Sequence, residues 1–203
     1  MKYIKLDDDK VYPSKIICIG RNYVDHIEEL KNEIPSEPVI FIKPNSSISN
    51  EIYFDFEEKL HYEGELTFLI RNERIFGVGF GLDLTKRETQ SRLKHKGLPW
   101  ERAKSFDNSA VLSHFVKLEG DLSLLRMELN INGELVQSGG YDLMLYKPDE
   151  ILDEVKRFLS LEDGDLIMSG TPKGVGEFDI GDLFVGKVYE GEKNLLQASW
   201  VVK

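Results

Sequence analysis

The chain carries a single cysteine, Cys18, in 203 residues, so no internal disulfide can form. It sits in the apolar run Ile16-Ile17-Cys18-Ile19 and reads as an inert, buried side chain. No apolar run approaches the ~18 residues that mark a membrane-spanning helix, and Met1-Lys2-Tyr3 opens no signal-peptide pattern. The expectation is a reduced, cytoplasmic protein. Net positive charge is lacking too: 26 Lys and Arg stand against 36 Asp and Glu, a formal charge of −10. That balance argues against nucleic acid and anionic membrane surfaces as partners. A small anionic substrate is still accommodated, because a bound metal and a few Lys or Arg side chains reverse the local field. Repeats, low-complexity tracts and linkers are absent. The loop Gly170-Thr171-Pro172-Lys173-Gly174-Val175-Gly176 lacks the Gly-Lys-Ser/Thr order of a P-loop. The glycines at 77, 79 and 81 lack the carboxylate and helix spacing of a dinucleotide-binding fingerprint; they suggest close backbone packing instead.

What is present suits one globular domain over residues 1–203, with a short lead-in over 1–14. The segment to Pro13 reads as polar and turn-like, and Glu51 to Glu58 as weakly strand-like. Strands are expected over Lys15 to Ile19, Pro38 to Lys43, Leu66 to Ile70, Phe76 to Gly81, Leu112 to Leu118, Asp165 to Ser169, Leu183 to Val188 and Leu195 to Val202. Met127 to Ile131 alternates cleanly, and Asn132-Gly133 is the strongest hairpin signal in the chain. Helical turns are expected over Val24 to Leu30. Thr85-Lys86-Arg87-Glu88 reads as a capping box with Thr85 as N-cap, opening a polar helix to about Lys96 that Gly97 stops. Its Arg87 and Gln90, three apart, could face a polar pocket. Pro148 opens a further helix to Ser160 whose Ile151, Leu152, Val155, Phe158 and Leu159 form one apolar stripe.

The chemistry concentrates at His61-Tyr62-Glu63-Gly64-Glu65. Strand side chains alternate faces, so Glu63 and Glu65 point the same way. Two like charges at the mouth of a buried strand repel unless a cation lies between them. Gly81-Leu82-Asp83-Leu84-Thr85 adds a third carboxylate, and three carboxylates form an all-oxygen site suited to Mg²⁺ or Mn²⁺. On spacing alone, a solvated strand face with Asp83 as a turn residue is an equal reading. His26 and Glu29, three apart on a helix, form either a carboxylate-oriented general base or a surface histidine beside an acid. Lys43, pinned before Pro44, and Lys104, in the loop around Trp100, are candidate cations.

In this order and spacing the segments resemble the fumarylacetoacetate hydrolase family, and most its short acylpyruvase and oxaloacetate-decarboxylase branch. The matching stretches are Gly20-Arg21-Asn22-Tyr23 with Asp25-His26, Phe41-Ile42-Lys43-Pro44, His61 to Leu66, Leu82 to Thr85, Lys96 to Trp100 with Ala103-Lys104-Ser105-Phe106, and Ser169 to Gly176. The resemblance runs from Lys15 to Val202. It implies a mainly β, α+β fold, a mixed β-sandwich roll with a few short helices, usually paired as a homodimer. It also implies Glu63, Glu65 and Asp83 as ligands of Mg²⁺ or Mn²⁺. His26, Glu29 and Lys104 become catalytic candidates, and Arg21, Lys43, Arg87, Gln90, Gly170 and Thr171 bind a small 2-oxo acid. The implied activity is acylpyruvate hydrolysis or oxaloacetate decarboxylation. The alternative is an isomerase or tautomerase of oxaloacetate or of a 2-hydroxy-diene-dioate. One departure is Tyr141, where relatives carry a threonine; it is expected to reshape the pocket wall.

Overall fold

The computed structural model describes residues 1–29 and 33–203. Leu30, the last residue of the first expected helix, lies outside the described residues. In chain order come β1 (Ile4–Leu6), β2 (Asp9–Val11), β3 (Lys15–Gly20), α1 (Val24–Glu29), β4 (Val39–Pro44), β5 (Ile48–Ser49), β6 (Leu60–Tyr62), β7 (Gly64–Arg71) and β8 (Arg74–Asp83). There follow β9 (Thr85–Lys86), α2 (Arg87–His95), α3 (Glu101–Lys104), β10 (Ala110–Lys117), β11 (Leu125–Ile131), β12 (Glu134–Gly140), α4 (Pro148–Lys156), β13 (Leu166–Met168), β14 (Gly176–Glu177), β15 (Leu183–Glu190) and β16 (Lys193–Val201). The fold is mainly β with short helices, as the family resemblance implies.

One mixed sheet runs β2-β1-β10-β8-β7-β13-β3-β4, with β5 added against β10. A four-stranded antiparallel sheet, β12-β11-β15-β16, packs on it, and a small sheet orders β14-β6-β9. The main core lies between the two large sheets, where Phe80, Phe184, Leu129 and Trp200 meet. Burying each large apolar side chain there contributes roughly 1.5–3 kcal/mol. The apolar run of β3 is buried on both faces. Ile17 and Ile19 join this core, while Ile16 and Cys18 join a second cluster with Leu69, Phe115 and Met168. Glycines on β8 serve that second cluster: a Cβ on Gly79 would lie 2.9 Å from the Phe115 ring. Close packing, not nucleotide binding, accounts for the glycine spacing.

The Asn132-Gly133 turn forms as expected, with φ of 52° and 89° closing the β11–β12 hairpin. Four local expectations are corrected. The N-terminal segment is not merely a bend, because β1 and β2 form a hairpin that adds to β10. Residues 51–59 form no strand. Helix α2 begins at Arg87 with no side-chain cap, since the Thr85 hydroxyl is engaged by Lys104 and the Asp83 carbonyl. Helix α4 buries Ile151, Leu152 and Val155 but ends at Lys156, which leaves Phe158 61% exposed beyond it.

Candidate functional site

Register builds the centre of the site. Strands β7 and β8 pair antiparallel with Gly64 opposite Leu82, which brings Asp83 beside Glu63, and the Asp83 N–H donates to the Glu63 carbonyl at 2.8 Å. Glu65, two residues on from Glu63, shares its face. All three carboxylates are buried, and one oxygen from each lies within 4.8 Å of the others. The small sheet delivers the rest: β6 leads into Glu63, β9 into Arg87, and the loop Gly170–Val175 feeds β14.

Cations neutralise this centre unevenly. The Lys104 ammonium, presented by α3, donates at 2.7 Å to Glu63, to Asp83 and to the Thr85 hydroxyl. Arg87 pairs with the other oxygen of Glu63 and donates to Gln90 Oε1 at 2.8 Å. Burial opposes ionisation of Glu63, but Lys104, Arg87 and His26 outweigh it and hold its carboxyl well below the usual range. Glu65 has the opposite balance. Burial, then the charges of Asp83 and Glu63, push its carboxyl well above the ordinary value, against a 2.8 Å hydrogen bond from the Gly170 N–H. Burial also works against the charge on Lys104, yet Asp83 and Glu63 prevail and hold the ammonium on.

Lys43 is completely buried. Its ammonium lies 2.9 Å from Asp83 Oδ1, donates to Ser109 at 3.0 Å and to the Lys104 carbonyl, and does not line the cleft. It lies on the far side of Asp83 from the cleft, held there by Ser109 and the Lys104 carbonyl. The ion pair lacks hydrogen-bonding alignment, so Asp83 Oδ1 is a buried oxygen with no hydrogen bond among the described residues. A hard divalent cation fits the all-oxygen donor set that the three carboxylates form together.

Above the carboxylates opens a narrow cleft lined by Arg21, His26, Phe41, Arg87, Gln90, Lys94, Trp100, Lys104 and Thr171 among others. His26 Nδ1 lies 3.1 Å from Glu29, whose carboxylate also accepts the Gly174 N–H at 3.1 Å. Gly170 sits just below, with its N–H spent on Glu65. Trp100 is half-buried and packs its ring at a tilt of 56° against Phe41, with ring centres 6.0 Å apart. Tyr141 does not line the cleft; its ring lies under the Lys147 ammonium, 4.9 Å away.

Sequence reasoning missed Lys94, although residues 87, 90 and 94 occupy one helical face and that spacing could have found it. Burial, then the charges of Arg21 and Arg87, lower the affinity of the Lys94 ammonium for its proton. It also missed Asn22. That buried amide donates to Ser169 at 2.8 Å and to Tyr146 at 3.0 Å, tying the motif after β3 to the loop after β13.

Arg21 has φ of 58°, a left-handed conformation that costs a non-glycine residue roughly 1–2 kcal/mol. Strain of this kind on a cleft residue points to function. In Arg21→Gly the relieved strain and the added freedom of the unfolded chain offset each other. The variant is expected to melt within a few degrees of the parent while KM for an anionic substrate rises at least tenfold. A large fall in melting temperature would show that packing, not function, holds the strained arginine.

The family model for the fumarylacetoacetate hydrolase C-terminal domain matches residues 15–202. The chain belongs to this family, whose members are enzymes acting on oxo acids. It is 38% identical over 191 residues to oxaloacetate tautomerase YcgM of Escherichia coli (strain K12), covering 84% of this chain and 87% of that protein. It is 40% identical over 184 residues to the mitochondrial oxaloacetate tautomerase FAHD1 of Mus musculus, covering 82% and 83%. Among solved structures, fumarylpyruvate hydrolase from Pseudomonas aeruginosa, in complex with Mn²⁺ and pyruvate, superposes with a TM-score of 0.90. The two are 28% identical over 99% of this chain and 95% of that one.

Proposed function

We propose that the protein interconverts the keto and enol forms of oxaloacetate, using Mg²⁺ or Mn²⁺ held by Glu63, Glu65 and Asp83. The observation that carries the reading is the buried carboxylate triad beneath a cleft rimmed by Arg21, Arg87 and Lys94. Oxaloacetate carries two carboxylates, and this arrangement offers each a cationic partner: the metal centre for the 2-oxo end, the rim for the distal end. Similarity to two oxaloacetate tautomerases supports this choice over hydrolysis and decarboxylation. A cytoplasmic location and homodimeric assembly belong to the same proposal, on family grounds; the mouse relative is named as mitochondrial.

A bound divalent ion would supply Lewis acidity to the 2-oxo group. The protein does the rest. His26, held through Nδ1 by Glu29, presents its other ring nitrogen to the cleft and removes the proton from C3, breaking that C–H bond. The Lys104 ammonium, kept charged by Glu63 and Asp83, stabilises negative charge arising on the 2-oxo oxygen. The imidazolium then returns a proton to that oxygen, forming the enol O–H; the reverse order gives the ketone. Phe41 and Trp100 wall off water on one side.

The decisive experiment follows enol absorbance and pyruvate release in parallel. Metal-loaded enzyme is expected to accelerate enol decay without releasing pyruvate; equal decay in metal alone would sink the proposal. His26→Ala is expected to lower kcat by about 10²–10⁴, the usual range for a positioned base, with Mn²⁺ affinity unchanged in a titration. The His26–Glu29 dyad also favours a second reading, hydrolysis of a 2,4-dioxo acid, in which it would activate water. Release of pyruvate from acetylpyruvate would mark that activity, and His26→Ala would then cost hydrolysis more than decarboxylation.

A further inference from the structure

The bulge in β12 holds a buried amide where the two halves of the cleft meet. β11 and β12 pair with Leu129 opposite Gln137 but Asn130 opposite Leu135, so Val136 is an extra residue in the ladder. Bulges beside active sites re-aim side chains, and here Gln137 turns inward and is 1% exposed. Its Oε1 accepts the Gly64 N–H at 2.8 Å, and Gly64 is the peptide between the two glutamates of the triad. Its amide group donates to Thr171 Oγ1 at 2.8 Å and to the Pro172 carbonyl at 2.9 Å, on the glycine-rich loop. The junction takes one acceptor and two donors from a single planar group, which only a carboxamide offers, and asparagine would hold it one methylene short.

The surroundings are cut to admit it. A Cβ on Gly64 would stand 3.0 Å from Gln137 Oε1, and one on Gly174 would stand 2.1 Å from the carbonyl of the bulged Val136. The loop therefore lies directly on the bulge, and the same Gly174 donates its N–H to Glu29 of the dyad. Gln137 also anchors Thr171. The threonine oxygen accepts from the amide while its hydroxyl has the Gly64 carbonyl within reach at 3.0 Å, so Thr171 is tied both to Gln137 and to the peptide between the glutamates.

We infer that Gln137 is a positioning residue that locks the metal-binding glutamates and the Thr171 loop into one register, joining the carboxylate floor to the oxo-acid-binding wall. The inference rests on the tautomerase reading for its kinetic test, while its metal-binding test stands apart from that reading.

Gln137→Met keeps the volume and removes all three hydrogen bonds. It is expected to weaken Mn²⁺ binding in a direct titration by about tenfold and to raise KM for oxaloacetate at least tenfold, with kcat affected less. Thr171→Val is expected to raise KM with a smaller change in Mn²⁺ affinity. The double variant should show a KM no worse than Gln137→Met, because both act through one linkage. If Gln137→Met does not accumulate folded, Gln137→Asn, an amide one methylene shorter, takes its place with the same expected signature. A folded variant that melts lower yet binds Mn²⁺ and substrate like the parent would overturn the inference and leave Gln137 a purely structural residue. Multiplying KM effects in the double variant would overturn it as well. Failure of the parent to turn over oxaloacetate would strike the tautomerase reading alone, and the Mn²⁺ titration would still decide on Gln137.

Discussion

Glu65→Gln is expected to abolish activity and at the same time to stabilise the metal-free protein. The carboxylate is buried, faces Asp83 and Glu63, and among the described residues has a single hydrogen bond, from Gly170. Lys104, Arg87 and Lys43 are all committed to the other two acids. An amide of the same shape removes the repulsion, and a gain of about 1 kcal/mol corresponds to roughly 2–4 °C in melting temperature for a chain of this size. Metal at about a hundred times its dissociation constant stabilises a fold by about 2.7 kcal/mol. The parent should therefore melt higher with Mn²⁺, while the variant should not respond. Loss of the ion and of its charge on the 2-oxo group should lower turnover at least about a thousandfold, or roughly 4 kcal/mol. Thermal melts with and without Mn²⁺, beside an enol-decay assay, check all three effects. Full activity at excess metal, or a lower melting temperature without it, would refute the assignment of Glu65.

The triad was only half legible. Strand alternation put Glu63 and Glu65 on one face but left a solvated face an equal reading, and it was the family resemblance that joined Asp83 to them. The antiparallel return of β8 after the Arg71–Arg74 turn is what brings Asp83 there. Arg87 and Gln90 were legible by helical spacing, and the same rule extends to Lys94. Thr85 misled because a capping sequence describes an isolated helix end, whereas a buried ammonium 2.7 Å away competes for that hydroxyl. Lys43 misled in the same way: its place before Pro44 fixed the backbone exit but not the layer in which the ammonium ends. Gln137 was invisible, since its role arises from a bulge and from contacts 73 and 34 residues away in the chain. The N-terminal hairpin escaped for a related reason. Its strands are three residues long and gain their order from β10, over a hundred positions downstream.

Lys104→Met is the mirror image of Glu65→Gln. Lys104 is the shared partner of Glu63, Asp83 and Thr85, and 97% of it is out of water, at 3% exposure. Removing one partner of a buried ion pair typically costs about 3–5 kcal/mol, because the remaining charges lose their compensation. For a chain of this size the metal-free variant should melt roughly 6–20 °C below the parent. The vacated charge lies between two of the three carboxylates proposed to hold the metal, so a divalent cation would supply what the ammonium did. Mn²⁺ should restore most of the lost stability, and its affinity should rise as a competing cation is removed. Activity should not return with the fold. The ion would be held by the carboxylates, whereas in the proposed reaction the charge at the 2-oxo oxygen would come from the lysine, and a missing electrostatic donor of this kind costs about 10²–10³ in kcat. A variant that is folded, loaded with Mn²⁺ and inactive separates the structural role of Lys104 from its chemical one. An Mn²⁺-loaded variant with parental kcat would leave Lys104 no part in the reaction beyond holding the carboxylates together.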